Sequence, residues 1–156
     1  MSEKNLLYAN VGCVGLLGLL LFLSFVTAEA DATQQVMILI SEIIGAITLV
    51  VAFLSFYYIR SDQRYLPISV LCFLAPWLLY GIGYEIGFNA STPYTWIWFI
   101  GLYILLITGF IFIRIGYKKV EGHYKLVIAF LLFINGIFFV YLIFIQIWWS
   151  IPFLNR

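Results

Sequence analysis

At 156 residues the chain is long enough for one domain and too short for two substantial ones. Only 10% of its residues are charged while 65% are hydrophobic; soluble proteins carry about 25% charged residues, so lipid must be the solvent for most of this surface. A net charge of +1 leaves no basic face for nucleic acid and no acidic tail.

A helix of about 20 apolar residues crosses the roughly 30 Å hydrocarbon core of a bilayer, and five runs meet that test. The first covers residues 6–28 and is followed by the polar stretch Glu29 to Gln35. The second covers 36–59 and is closed by Arg60, Asp62 and Arg64. The third covers 65–88 and ends at the turn from Asn89 to Thr95. The fourth covers 96–117 and stops at Lys118, Lys119 and Glu121. The fifth covers 126–154, longer than a bilayer requires, so it is expected to tilt or to project. Lipid offers backbone groups no water, so these runs must be helices rather than open strands. The expected fold is all-α: one transmembrane domain over residues 1–156, a bundle of five helices with sequential neighbours antiparallel.

Orientation follows from the basic residues, which stay on the cytoplasmic side during insertion. Lys4, Arg60, Arg64, Arg114, Lys118, Lys119 and Lys125 share one side and only Arg156 falls on the other. Trp96, Trp98, Trp148 and Trp149 gather at the opposite boundary, as interfacial aromatics do. The N-terminus is therefore expected inside and the C-terminus outside, in the plasma (cytoplasmic) membrane. Lys4, the leucine-rich run and the small residues of Val26-Thr-Ala28 or Ala28-Glu-Ala30 also resemble a signal peptide. Cleavage there would leave four helices with both ends outside. The run is long enough to span, and retention is expected.

Two carboxylates fall inside the apolar runs, Glu42 in the second and Glu85 in the third. At 1.5 Å per residue they lie roughly 9 Å and roughly 5 Å below the outer boundary, so antiparallel helices could bring them to one outward-facing pocket. Carboxylates within a membrane mark ion or proton paths or polar contacts between helices, and two in proximity would share a proton. Asn135 lies near mid-depth and suits an interhelical hydrogen bond. Arg114, about one turn from the inner end, reads as a snorkelling anchor. Cys13 and Cys72 lie in apolar runs without the spacing of a redox pair, and the single histidine, His123, leaves metal or haem ligation without support. No cofactor is expected.

Packing signals are stronger than chemical ones. Gly12, Gly15 and Gly18 thin one side of the first helix, while Ser41 with Gly45 and Gly83 with Gly87 form small-xxx-small pairs in the second and third. Pro76 is expected to kink the third helix. The fifth helix carries bulky aromatics around its whole circumference, suited to lipid or to another subunit. With no nucleophile–base pair, the reading leans away from an enzyme. It favours a non-catalytic accessory or assembly subunit of a larger membrane complex, partnered by lipid and by other membrane subunits or copies of itself. The competing reading is a small proton- or cation-coupled transporter or channel that uses Glu42 and Glu85.

Overall fold

The computed structural model describes residues 2–27 and 31–150. Among the described residues there are five long helices, α1 (Glu3–Val26), α2 (Asp31–Tyr58), α3 (Tyr65–Glu85), α4 (Thr95–Lys119) and α5 (Tyr124–Ser150), with a short 3-10 turn, Asp62–Arg64, before α3. Each of the five holds a stretch long and apolar enough to cross a membrane. The fifth was expected to reach residue 154; positions 151–156 lie outside the described residues.

Two helix ends depart from expectation for identifiable reasons. The stretch before residue 36, expected as a polar link, is helical from Asp31. Ala32, Gln34 and Gln35 are good helix formers and no proline interrupts residues 31–58, so polarity alone did not stop the helix. The third helix stops at Glu85 rather than at residue 88 because Gly87 turns left-handed, with φ of 79°. The amide of Phe88 donates to the carbonyl of Gly83 at 2.9 Å and that of Gly87 to Tyr84 at 2.9 Å, the reciprocal pair of a Schellman stop. Gly87 is thus a helix terminator; an added Cβ would meet nothing within 4 Å, which corrects its assignment to helix packing.

Helix α3 packs against each of the other four helices, most extensively against α4 and then α2. The interfaces place small residues inside and large apolar ones outside. α2 buries Ser41, Gly45, Thr48, Ala52 and Ser55, one stripe at three- and four-residue spacing, while Leu39, Ile43, Ile47, Val50 and Phe53 face outward. A stripe of small residues lets two backbones approach, which is how helices associate where lipid removes the hydrophobic drive. α1 answers it with Leu7, Asn10, Val14 and Leu17, all buried. Of the three glycines assigned to packing in α1, only Gly18 has a neighbour, the ring of Phe130 at 3.9 Å from its built Cβ; Gly12 and Gly15 meet nothing within 4 Å and lie on the exposed face. The buried side of α1 is instead chosen by its leucines and Asn10. Gly45 does pack, with Leu17 at 4.0 Å from its built Cβ.

Tight glycine contacts lie between α3 and α4. A Cβ on Gly109 would stand 3.0 Å from the carbonyl oxygen of Cys72, and one on Gly116 would overlap the hydroxyl of Ser69. Pro76 lies inside α3 and has no amide to offer the Cys72 carbonyl four residues earlier. That carbonyl lies against Gly109, a position where only a hydrogen fits. Gly83 serves the same seam from the other side: its built Cβ would be 2.5 Å from the indole of Trp98.

Candidate functional site

The seven basic residues Lys4, Arg60, Arg64, Arg114, Lys118, Lys119 and Lys125 define one end of the bundle, called the basic end below, and Glu42 and Glu85 lie towards the other. At the basic end the N-terminus of α1 is tied to the α2–α3 link. The backbone N–H of Arg60 and the hydroxyl of Ser61 donate to the Glu3 carboxylate at 3.0 and 2.9 Å. About two turns further in, the fully buried Asn10 donates through Nδ2 to the Leu6 carbonyl at 2.8 Å and to the Ser55 hydroxyl at 2.6 Å. This bond fixes the register of the α1–α2 hairpin. Asn10 was not singled out in the sequence because it lies among leucines close to the expected start of the span, yet an amide in an apolar run is a signal in its own right.

Glu42 of α2 and Glu85 of α3 come near enough for each to act on the other's charge. Both side chains are exposed on the outside of the bundle, flanked by the exposed Ile43, Ile82 and Ile86. The reason is rotational. The small stripe of α2 must face α1, which turns Glu42 to the flank, and Glu85 is the last helical residue of α3. Because α2 begins eleven residues before Glu42, it rises about 16 Å beyond that residue along its axis.

Below the carboxylates the interior is closed. The hydroxyls of Thr48, Ser55 and Ser69 each donate to the carbonyl four residues back, at 2.6, 2.7 and 2.7 Å, and Ser41 does the same at 2.7 Å. Leu66, Val70, Leu74, Leu102, Leu106, Ile113, Ile128 and Leu131 fill the space between them with 2% exposure or less. Asn135 is fully buried, as its interhelical role requires, and its Nδ2 donates to the Leu106 carbonyl of α4 at 3.3 Å.

Above Asn135 an aromatic block joins α3, α4 and α5. Trp77 stacks on Phe138 with ring centroids 4.1 Å apart, the Tyr80 and Tyr141 hydroxyls are 3.0 Å apart, and the Trp98 indole N–H donates to the Leu79 carbonyl at 3.1 Å. Trp98 and Trp149 are therefore packed residues, whereas Trp96 and Trp148 are the exposed pair suited to an interface. Cys13 and Cys72 are free thiols, both partly buried. Among the described residues no three His, Cys, Asp or Glu side chains converge as metal ligands would. Comparison of the chain with family models, curated proteins and solved structures finds no match.

Proposed function

We propose that this chain is a non-catalytic accessory or assembly subunit of a larger membrane complex, inserted in the plasma membrane with its basic end cytoplasmic and α1 retained. The observation that carries the reading is the position of the Glu42–Glu85 pair on the outer flank of a bundle whose interior is packed and apolar. A carboxylate pair that conducts must open onto a polar path, and side chains that face lipid are costly unless something covers them. A neighbouring subunit placed laterally against α2 and α3 supplies that cover. Retention of α1 is supported by its Leu6, Leu7, Asn10, Val14 and Leu17, which complete the core on α2 and α3.

Purification in mild detergent from the native membrane tests this reading. An integral membrane protein in fixed ratio is expected to accompany the chain, and the doubly substituted Glu42→Gln, Glu85→Gln protein is expected to lose it. A chain that emerges alone sinks the proposal. The transporter reading draws on the same two neighbouring carboxyls, since a pair in proximity is able to share a proton. It requires that Glu42→Gln abolish cation or proton flux in proteoliposomes, and wild-type vesicles without flux would end it.

A further inference from the structure

We infer that the groove between α4 and α5 is a binding site for an anionic glycerophospholipid, with one acyl chain in the groove and the headgroup phosphate held at Lys125 and Arg114. The groove is a shallow, open apolar depression along α5, lined by Ala129, Phe133, Gly136 and Val140 and bounded on the α4 side by Phe110. Gly136 opens it: the nearest atom to its built Cβ is the Phe110 ring at 3.6 Å.

Position and charge determine the occupant. From Ala129 to Val140 the α5 wall runs eleven residues, about 16 Å at 1.5 Å per residue, which matches one leaflet of a hydrocarbon core about 30 Å thick. The groove thus starts one turn above Lys125, at the basic end, and runs past the level of Asn135 to Val140. Lys125 lies on the same face of α5 as Ala129, and its Nζ stands 4.7 Å from the centre of the Tyr117 ring of α4. That places a cation across the mouth. Arg114 is exposed and lies one turn from Phe110 on the same face of α4, long enough to bring its guanidinium to the headgroup level. An apolar slot of one-leaflet length, with Lys125 at its open end and Arg114 beside its wall on α4, complements a phospholipid whose headgroup is negative. Basic pockets between helices select such headgroups, and guanidinium and ammonium groups are the phosphate-binding side chains. A neutral headgroup would use the slot and leave the cations without a counter-charge.

The full-length chain, purified in mild detergent, would be offered equal amounts of dioleoylphosphatidylglycerol and dioleoylphosphatidylcholine and the retained lipid read by native mass spectrometry. The wild type is expected to retain the anionic lipid preferentially. Lys125→Gln should lower that preference about fivefold and Lys125→Gln with Arg114→Gln about 25-fold, a factor of about five for each cation removed at an anionic lipid surface. Ala129→Phe, which fills the slot and leaves both cations, should reduce retention of both lipids. Glycerol 3-phosphate in excess should not displace the bound lipid. Equal retention of the two lipids by the wild type, full retention by Ala129→Phe, displacement by glycerol phosphate alone, or a lipid-free dimer would each overturn the inference. If the double variant loses its helical circular dichroism, the single Lys125→Gln variant carries the same test.

Discussion

The α3–α4 seam is where a single added carbon has the largest consequence, and Gly116→Ala tests it most sharply. The new Cβ would overlap the Ser69 hydroxyl and stand 3.2 Å from the Tyr65 carbonyl oxygen. Ser69 cannot swing away without giving up its 2.7 Å bond to that same carbonyl. The helices must therefore part by several tenths of an ångström over a seam that also holds Gly109 against the Cys72 carbonyl. Overpacking of this kind costs about 1–3 kcal/mol, a loss of roughly 5- to 150-fold in the folded-to-unfolded ratio. Detergent-solubilised protein titrated with sodium dodecyl sulfate would report it as an earlier loss of helical packing. Ser69→Ala alone removes only a bond within one turn and should cost little, but in the Gly116→Ala background it should restore most of the lost stability. The two changes should thus couple by about 1 kcal/mol or more, within the range seen for residues in contact. Strictly additive effects, or a Gly116→Ala protein as stable as Gly12→Ala, whose new Cβ enters open space, would refute the close approach.

Three further outcomes follow from individual contacts. Asn10→Leu should destabilise the hairpin by about 0.6 kcal/mol and at most about 1.7 kcal/mol, the range for interhelical hydrogen bonds in membranes, and should not add to Ser55→Ala in the same titration. Gly87→Ala forces a side chain into left-handed backbone at a cost of about 1–2 kcal/mol; hydrogen exchange should then show fraying of the last turn of α3, ahead of any change in α1. Glu3→Ala removes the acceptor of the Arg60 amide, so that amide should exchange faster while Asn10 and the mid-helix amides remain protected.

The five spans are legible because hydropathy summed over some twenty residues swamps any single polar side chain. Helix ends are harder. Gly87 and the polar residues before Val36 both invite wrong readings: a glycine at four-residue spacing imitates a packing notch, and glutamines imitate a loop. Helix rotation is harder still. Depth arithmetic brings Glu42 and Glu85 to one level, but their outward facing is settled by the stripe from Ser41 to Ser55, which competes for the same side of α2 and is itself visible as five small residues in register. The glycines that count most, Gly109 and Gly116, are seven apart, a heptad on one face, and escape a search for four-residue spacing. Asn135 was legible because one amide in a long aromatic run has few alternatives to a partner helix.

The central claim, that the spans cross with the basic end cytoplasmic, is tested most directly by single-cysteine labelling in intact cells after replacement of Cys13 and Cys72. Thr33→Cys and Ser91→Cys are expected to react with a membrane-impermeant maleimide added outside, while Asp62→Cys and Glu121→Cys should react only after the membrane is opened. Labelling of residues 33 and 62 from the same side would contradict it.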